Sequence, residues 1–451
     1  MIDLKCFKSY DIRGKVPQEL NNDLAYKIGI AYAAILQPKK IVTGYDVRLE
    51  SQELQQNLIQ GLTDSGVNVL NIRLCGTEEI YYQAFANPDI DGGIMITASH
   101  NPKGYNGMKM VGKGARPISL DDDLQKIKDY IINNISAEKS QIGTQEHLAC
   151  KDNYIAHLLE YIDVNNIKPL KVVVNPGNGP AGIIIEKLAK SLPLEFVYIN
   201  ETPDGNFPNG VPNPMIIENR KVTSDAVVQH GADFGIAWDG DFDRCFLFDE
   251  KGSFIEGYYV VGLLAANILK KHPGEKIVHD PRLIWNTLDI VTKNNGIALQ
   301  SKSGHSFIKN MMRQENAAYG GEMSAHHYFR EFGYCDSGMI PWLLVTELLC
   351  SSGQKLSDMV RMQQEKFPCS GEINYTTDQF EFIVEKILLK YKDSYKNIDQ
   401  TDGLSVEFDQ WRFNIRKSNT ESLIRLNVET KGDKKNLQDR VLEIESIIYS
   451  N

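Results

Sequence analysis

The sequence predicts an α/β fold of three similar units followed by a smaller α+β unit. Short apolar runs such as IVTGY, VNVLNI and GGIMIT alternate with helical patterns such as LQQNLIQGLTDSG through the first three quarters of the chain. This alternation is typical of βαβ units, in which helices cover a mainly parallel sheet. The pattern restarts twice, first at KPLKVVVNPGNGPAGIIIEKLAKSL and then at GYYVVGLLAANILKKHPG with KIVHD after it. Each restart indicates a new unit.

The last part of the chain has a different character. From about Gly371 the runs INYTT, GLSVEF, WRFNIR and LIRLNVET favour antiparallel strands, and LQDRVLEIESII favours a closing helix. A chain of 451 residues is also too long for one hydrophobic core. We therefore predict four domains, at residues 1–147, 148–250, 251–368 and 369–451.

Composition excludes several classes of protein. The net charge of 49 − 59 = −10 argues against a nucleic-acid partner, which needs a positive field. No run approaches the roughly 18 apolar residues of a membrane span, so no membrane partner is expected. The N-terminus lacks the order of a secretory signal, and the seven scattered cysteines form no CxxC pair. These features predict a cytoplasmic protein with neither a disulfide framework nor a zinc site.

The first motif with chemical potential is TASHNP, residues 97–102, directly after GGIMIT. A serine just beyond the end of a parallel strand lies where such sheets bind ligands. Pro102 stiffens the loop, so Ser99 is expected to point outward, with His100 and Lys109 close in sequence. Taken alone, the hexapeptide favours an ordinary turn, because its residue types are common in turns.

The second motif, DGDFDR, follows the apolar run GIAW. The carboxylates of Asp239, Asp241 and Asp243 at alternate positions can converge on one hard cation, either Mg²⁺ or Ca²⁺. An EF-hand is rejected because its sixth position requires glycine, whereas Arg244 stands here, and because the flanks favour strands. A solvated acidic turn is disfavoured by the apolar residues on both sides.

A third motif, GNGPAG at residues 177–182, fits the dinucleotide pattern G-x-G-x-x-G. It follows a strand, opens a helix and has Glu201 roughly twenty residues on, so an NAD-linked dehydrogenase is the main rival hypothesis. However, Pro176 and Pro180 restrict the loop, and a dehydrogenase leaves the aspartate motif without a role. We interpret the motif as a tight turn, with dinucleotide binding as the alternative.

The fourth motif is GEMSAHH, in which Glu322 and Ser324 offer acceptors and a donor suited to sugar hydroxyls. His326 and His327 are neighbours, and neighbouring side chains of a strand point to opposite faces. One of the two histidines is therefore predicted to be structural.

The fifth motif is RKSNT, residues 416–420, between two strands of the last unit. It combines two cations, two hydroxyls and an amide, which suit a phosphate group when the backbone N–H groups of a turn add donors. A basic hairpin turn without a ligand is equally consistent with this motif.

Together with YDIRG at residues 10–14, these motifs in this order resemble the α-D-phosphohexomutase superfamily. The resemblance spans essentially the whole chain, and the combination of motifs is far more specific than any one of them. It implies three α/β domains and a TATA-box-binding-protein-like α+β domain around a central cleft.

The resemblance also implies roles for individual residues. Ser99 would carry a phosphoryl group and, with the three aspartates, would ligate Mg²⁺. Lys109 or His100 is our hypothesis for the general base, because each is close to Ser99 in sequence. The implied set is Ser99, His100, Lys109 and Arg244 as catalytic residues; Ser99, Asp239, Asp241 and Asp243 as metal ligands; and Tyr10, Arg13, His305, Glu322, Ser324, Arg416, Ser418, Asn419 and Thr420 as substrate-binding residues.

The sugar motif narrows the implied reaction. GEMSAHH is similar to the phosphomannomutase/phosphoglucomutase type, whereas glucosamine enzymes typically carry GEQSGH. The implied reaction interconverts mannose 1-phosphate and mannose 6-phosphate, with hexose 1,6-bisphosphate as intermediate and activator, in GDP-mannose synthesis. Glucose 1-phosphate as substrate, alone or alongside mannose 1-phosphate, is the alternative, and a sugar-phosphate sensor without turnover is a third hypothesis. We expect a monomer or a weak homo-oligomer.

One departure from the family pattern is visible. The last loop of the family usually continues with Glu-Pro, whereas here Glu421 is followed by Ser422. Loss of the proline removes a restriction on φ and is expected to loosen the loop without removing a phosphate contact.

Overall fold

The computed structural model of this chain describes residues 4–120, 123–133, 142–417 and 423–449. The chain forms two compact units, each assembled from two stretches of sequence. The first unit comprises Met1–Phe254 and His326–Gly353, and the second comprises Ile255–Ala325 and Gln354–Asn451. Over the described residues, no helix combines the length and apolar composition needed to cross a bilayer.

The first unit opens with a seven-stranded sheet and four helices. In chain order the elements are β1 (Ile12–Lys15), α1 (Asn22–Leu36), β2 (Lys40–Tyr45), α2 (Ser51–Asp64), β3 (Asn68–Leu74), α3 (Thr77–Ala86), β4 (Gly92–Ile96), β5 (Tyr105–Gly112), β6 (Arg116–Pro117), α4 (Asp123–Ile132) and β7 (Gln145–His147). The strand order is β1-β5-β4-β2-β3-β7, with β6 paired to β5. Strand β2 is parallel to β3 and β4, and β5 is antiparallel to β4. The predicted βαβ pattern is confirmed here.

A five-stranded sheet follows in the same unit. Its strands and the surrounding helices are α5 (Lys151–Leu159), β8 (Lys171–Asn175), α6 (Ala181–Leu188), β9 (Glu195–Tyr198), α7 (Ile217–His230), β10 (Phe234–Trp238), β11 (Cys245–Phe248) and β12 (Phe254–Ile255). The order is β12-β11-β10-β8-β9, in which β10 is parallel to β8 and antiparallel to β11. Strands β4 and β10 are buried at every position, as expected for apolar runs covered on both faces.

The second unit begins with a parallel arrangement of three strands. Its elements are α8 (Gly257–Lys271), β13 (Lys276–His279), α9 (Trp285–Lys293), β14 (Ile297–Gln300), α10 (His305–Glu315) and β15 (Tyr319–Gly321). Strand β13 pairs in parallel with both β14 and β15. The chain then returns to the first unit with an antiparallel pair and a helix, namely β16 (His327–Phe329), β17 (Cys335–Asp336) and α11 (Ile340–Ser352).

The rest of the second unit is an antiparallel sheet with helices, as the sequence predicts. Its elements are α12 (Leu356–Lys366), β18 (Ile373–Thr376), α13 (Phe380–Lys390), β19 (Asn397–Asp399), β20 (Leu404–Glu407), β21 (Trp411–Lys417), β22 (Leu423–Thr430) and α14 (Lys434–Tyr449). The strand order is β18-β22-β21-β20-β19, and every pair is antiparallel. Apolar residues of α13 and α14, including Ile387 and Ile444, share one core.

Helix α4 shows how burial determines stability in the first core. Ile131 is 4% exposed and belongs to the hydrophobic core, whereas the next residue, Ile132, is 59% exposed. Ile131→Ala is expected to lower the free energy of unfolding by about 2–5 kcal/mol, because it leaves a cavity. Ile132→Ala is the matched control and should change it by less than about 1 kcal/mol. Urea unfolding and hydrogen exchange of α4 would measure both, and equal losses would contradict the assignment of Ile131 to the core.

A buried carboxyl group, Glu78, connects three parts of the first unit. It lies on α3, accepts hydrogen bonds from the Tyr154 hydroxyl of α5 and from the backbone N–H of Gly338, and is fully buried. Burial raises the pKa of Glu78 to about 8, although donors from Ser337, Tyr154 and Gly338 act against this rise. The native state therefore retains a proton that the unfolded state releases near pH 4.5.

This proton makes stability depend on pH in a defined direction. Because the native pKa lies above the unfolded one, the stability contributed by protonated Glu78 is present below about pH 4.5 and decreases as pH rises towards about 8. Relative to Glu78→Gln, which stays neutral, the wild type should lose about 3 kcal/mol between pH 5 and 8. Urea unfolding at several pH values would measure the difference. Parallel profiles would show that Glu78 is ionised in the native state.

Candidate active site

Ser99 lies in the loop that follows β4. Its φ is +49°, a left-handed conformation that is uncommon for a non-glycine residue. The turn is supported by the Ser99 N–H, which donates to Thr97 Oγ1 at 2.8 Å, and by the Asn101 N–H, which donates to the Ala98 carbonyl. The prediction that Ser99 points outward is wrong, because the residue is only 2% exposed. Its hydroxyl instead donates to Asp239 Oδ2 at 2.7 Å.

The aspartate motif forms the loop between β10 and β11. The antiparallel pair Trp238–Cys245 closes this loop, so its six residues begin and end at one place in the sheet. Asp239, Asp241 and Asp243 are all buried, and one carboxylate oxygen of each lies within 4.8 Å of the others. The predicted convergence of the three carboxylates is therefore present in the folded chain.

Two cations partly balance the three carboxylates. Lys109 Nζ donates to Asp241 Oδ2 at 2.7 Å and also to Asp243. Arg244 Nε and Nη2 donate to Asp239 Oδ2 at 3.0 and 2.8 Å. Three carboxylates against two cations leave surplus negative charge when all groups are ionised.

The same contacts explain the pKa shifts in the cluster. Burial raises the pKa of Asp239 to about 7, and the Arg244 guanidinium opposes that rise. Burial and Asp243 also act to raise the pKa of Asp241, but Lys109 and the Thr77 hydroxyl hold it below its ordinary value. Burial lowers the pKa of Lys109, but Asp241 and Asp243 outweigh this effect, so the net pKa is raised and the ammonium group stays charged.

The donor set fits a divalent cation that prefers oxygen ligands. Asp241 Oδ1 is buried and, among the described residues, accepts no hydrogen bond. An unpaired carboxylate oxygen in the interior is costly unless a cation or a donor reaches it. Together with the surplus negative charge, this oxygen makes the loop chemically suited to Mg²⁺.

Three further predicted residues belong to the first unit. His100 Nδ1 lies 3.1 Å from Ser99 Oγ and also contacts Arg244 Nη2. Arg13, on β1, forms an ion pair with Asp11 and donates from Nη1 to Asn101 Oδ1 at 2.6 Å, so it contacts the Ser99 loop. Tyr10 precedes β1 and is partly exposed. The first unit thus gathers Ser99, His100, Lys109, Arg13 and Arg244 with the aspartates.

The two neighbouring histidines differ as predicted. His327 is fully buried in β16, and burial lowers its pKa to about 3. His326 is partly exposed, and its Nε2 lies 3.9 Å from Asp243 Oδ1 and 3.9 Å from Asp336 Oδ2. His327 is therefore the structural member, and His326 borders the aspartate loop. Asp336 was not singled out in the sequence because it lies nine residues beyond the end of the motif.

In the second unit, an arginine that the sequence did not single out connects the predicted sugar-binding residues. Arg282 Nη2 lies 2.8 Å from Asp280 Oδ2, 3.3 Å from Glu322 Oε1 and 3.2 Å from Ser324 Oγ. Burial lowers the pKa of Arg282, but Asp280 and Glu322 outweigh this and raise it overall. His305 begins α10, where the N–H of the preceding Gly304 donates to Glu322 Oε1 at 2.9 Å.

The predicted phosphate-binding motif is described only in part. Arg416 and Lys417 belong to β21, so they end a strand and are not part of the turn that the sequence suggested. Arg416 Nη2 donates to Glu372 Oε2 at 3.0 Å, and Arg425 Nη1 donates to Glu372 Oε1 at 3.2 Å. The predicted residues Ser418, Asn419 and Thr420, and the departure at Glu421 and Ser422, lie outside the described residues.

The glycine-rich motif forms a tight turn between β8 and α6. Gly177 has a φ of +60°, and a Cβ on Gly179 would lie 3.0 Å from the Pro176 carbonyl oxygen and 3.2 Å from the Gly240 carbonyl oxygen. The glycines therefore allow close backbone packing, partly against the aspartate loop. This geometry favours the interpretation as a turn over dinucleotide binding.

Comparison with known proteins gives matches along the whole chain. Models of "Phosphoglucomutase/phosphomannomutase" match in consecutive pieces: alpha/beta/alpha domain I at residues 4–138, domain II at 152–252, domain III at 256–367 and the C-terminal domain at 375–446. A relative from Xanthomonas campestris pv. campestris described as "Phosphohexose mutases" is 56% identical over 445 residues, which is 99% of each chain. A "Phosphomannomutase" of Salmonella montevideo is 54% identical over 461 residues, which is 100% of each chain.

A solved structure agrees with these matches. A phosphoglucomutase/phosphomannomutase family protein from Burkholderia thailandensis aligns with a TM-score of 0.88 and 29% identity, covering 99% of this chain and 98% of that one. The fold and the matched domains define a mutase, an isomerase that transfers a phosphoryl group within its substrate. The chain belongs to the phosphoglucomutase/phosphomannomutase family. This membership replaces the dehydrogenase hypothesis.

Proposed function

We propose that the chain is a magnesium-dependent phosphomannomutase, which interconverts mannose 1-phosphate and mannose 6-phosphate through phosphorylated Ser99. The observation that carries the proposal is the 2.7 Å hydrogen bond from Ser99 Oγ to Asp239 within the buried carboxylate cluster. Phosphoryl transfer requires a protein mainly to position the reacting groups and to neutralise their charge, and this cluster supports both. A phosphoglucomutase, or an enzyme that accepts both sugars, is the alternative.

The proposed cycle has two half-reactions. The bond between Ser99 Oγ and phosphorus breaks as a hydroxyl oxygen of the hexose phosphate bonds to that phosphorus, and the hydroxyl proton passes to a base. The resulting hexose 1,6-bisphosphate turns end for end. Ser99 Oγ then attacks the other phosphorus, the bond between that phosphorus and the sugar oxygen breaks, and the sugar oxygen takes the proton back from the base. No co-substrate is consumed. Free hexose 1,6-bisphosphate acts as activator, because it phosphorylates a Ser99 that has lost its phosphoryl group.

The metal would be held by the three aspartates and an oxygen of phosphorylated Ser99. When bound, Mg²⁺ offsets negative charge on the transferring group. Arg244 Nη2 lies 3.5 Å from Ser99 Oγ, so its guanidinium supplies a fixed positive charge at the same position. We assign the sugar hydroxyls to Glu322 and Ser324. We assign the non-reacting phosphate to Arg416, Ser418, Asn419 and Thr420. Tyr10, Arg13 and His305 are assigned as further substrate-binding residues.

We assign the proton transfer to His100. Lys109 instead acts as a cation that balances the charge of the aspartates. His100 Nδ1 is 3.1 Å from Ser99 Oγ, whereas Lys109 Nζ is occupied as a donor to Asp241 and Asp243. His100→Ala is expected to lower turnover about 10²- to 10⁴-fold, the usual contribution of a positioned acid or base. Lys109→Met removes the cation that balances the aspartates and should also lower turnover. Near-normal turnover of both His100→Ala and Lys109→Met would remove both residues from the mechanism.

Substrate choice is tested by a coupled assay with Mg²⁺ and a trace of glucose 1,6-bisphosphate. Mannose 1-phosphate, glucose 1-phosphate and glucosamine 1-phosphate would be compared under identical conditions. Preference for mannose 1-phosphate supports a role in GDP-mannose supply, and similar rates on mannose and glucose indicate dual specificity. No turnover on any of the three, although Ser99 is phosphorylated, would overturn the proposal in favour of a sugar-phosphate sensor.

A further inference from the structure

Arg48 is a buried cation to which neither the sequence motifs nor the proposed mechanism gives a role. It lies just after β2, and its side chain is 2% exposed. Its guanidinium donates to four backbone carbonyl oxygens, three of them in the loop that carries Ser99 and the fourth at the first residue of β5, where that loop ends. Nη2 donates to Ser99 O at 2.8 Å and Asn101 O at 2.5 Å, and Nη1 donates to Pro102 O at 3.0 Å and Tyr105 O at 2.9 Å.

The guanidinium is itself held in place. Asp46 Oδ2 lies 3.5 Å from Arg48 Nε, and Asp46 Oδ1 accepts from the Arg48 N–H at 3.0 Å and from Ser51 Oγ at 2.6 Å. Asp46 is buried and is bound to β4 through its N–H, which donates to the Ile96 carbonyl at 3.0 Å. The ring of Phe207 packs 5.4 Å from the guanidinium carbon. A planar group with five donors is suited to this task, because its geometry is rigid.

The loop needs such support for two reasons. Ser99 has a φ of +49°, which costs a non-glycine residue free energy, so the conformation persists only where its surroundings enforce it. The Ser99 carbonyl also packs closely on the aspartate loop, because a Cβ on Gly240 would lie 2.5 Å from it. Arg48 and the aspartate loop therefore meet at the same Ser99 carbonyl, in the residue whose hydroxyl donates to Asp239.

We propose that Arg48 is a positioning residue for phosphoryl transfer, acting through the backbone of the Ser99 loop without touching the substrate. The proposal rests on the proposed function, since it concerns the placement of the same hydroxyl. An error of about 1 Å in the position of a reacting atom can cost about 10²-fold in rate. Loss of the four carbonyl contacts should therefore lower the rate of the chemical step more than it lowers substrate binding.

The test compares Arg48→Met and Arg48→Lys with the wild type in the full chain. The rate of Ser99 phosphorylation by saturating glucose 1,6-bisphosphate would be followed by intact-protein mass, and kcat and KM would be measured with mannose 1-phosphate. Arg48→Met is expected to lower the phosphorylation rate and kcat about 10²-fold, with KM changed less than about threefold. Arg48→Lys keeps the charge but loses the planar guanidinium group. Its phosphorylation rate and kcat should lie between those of the wild type and those of Arg48→Met.

Arg220→Met is the matched control. Like Arg48, Arg220 donates to backbone carbonyls of a loop, those of Pro214 and Met215, and packs on a phenylalanine, Phe254. Unlike those of Arg48, these contacts do not involve the Ser99 loop. If Arg48 has a purely structural role, Arg48→Met and Arg220→Met should both have lower thermal stability than the wild type. The folded fraction of both variants should then be phosphorylated at the wild-type rate. That result would overturn the proposal.

Other outcomes are equally decisive. If Arg48→Met does not fold, Arg48→Lys takes its place, and a wild-type kcat and phosphorylation rate in that variant would overturn the proposal. A rise in KM alone would also overturn it, because Arg48 would then act on substrate binding. Failure of the wild type to become phosphorylated at Ser99 would instead overturn the proposed function, and the two failures are therefore distinguishable.

Discussion

Ser99→Ala is expected to lower turnover of mannose 1-phosphate by more than about 10³-fold, because the only proposed carrier of the phosphoryl group is removed. The Ser99 hydroxyl is buried and donates to Asp239, so a water molecule is a poor replacement for it. A coupled assay with glucose 1,6-bisphosphate would measure turnover, and intact-protein mass would show whether a phosphoryl group is still gained. We expect the variant to gain none.

Ser65→Ala is the control for this experiment. Ser65 directly follows α2 and donates from its hydroxyl to the Gly61 carbonyl, so loss of the hydroxyl removes one ordinary hydrogen bond. Its turnover and phosphorylation should match the wild type. Residual turnover of Ser99→Ala above about a tenth of the wild-type value would show that the phosphoryl group reaches the sugar by another route.

Asp241→Asn is expected to weaken metal binding at least about 100-fold and to lower turnover at moderate Mg²⁺ about 10³-fold. The change removes a negative charge from a cluster whose surplus negative charge is the proposed basis of cation binding. Mn²⁺ binding followed by electron paramagnetic resonance would report affinity without relying on activity. In the wild type, EDTA should abolish turnover and added Mg²⁺ should restore it.

The matched control is Asp249→Asn, a buried aspartate in the next turn along the chain, directly after β11. Asp249 Oδ1 accepts hydrogen bonds from the N–H groups of Lys251 and Ser253, and asparagine retains this oxygen acceptor. Its Mn²⁺ affinity should equal that of the wild type. If Asp241→Asn bound Mn²⁺ as tightly as Asp249→Asn, the triad would not be the metal site.

The local features of the fold could be predicted because each depends on a short stretch of sequence. Strands β4 and β10 are apolar runs buried at every position, and helix α2 ends in a turn at Gly66, whose φ is +87°. The three aspartates converge because they alternate within one six-residue loop. The outward orientation expected for Ser99 was wrong, because it assumed that the loop has no neighbour.

Contacts between distant parts of the chain could not be predicted. Lys109 reaches Asp241 across 132 residues, and this contact depends on the register of β5 against β4, where Lys109 pairs with Met95. Arg282 meets Glu322 for a similar reason, since β13 and β15 pair in parallel and their loops begin at one edge. The sequence around Lys109 and around Arg282 contains no local pattern that indicates such a partner.

The sequence by itself determined the order of the four domains, the carboxylate triad and the serine loop, since residues close in the chain stay close in any fold. Only the tertiary structure decided which charges balance the triad, that the Ser99 hydroxyl is buried against Asp239, and that Arg48 holds the Ser99 loop. These features depend on burial and on long-range pairing. In the interior, a charge is stable only where the fold brings a partner to it.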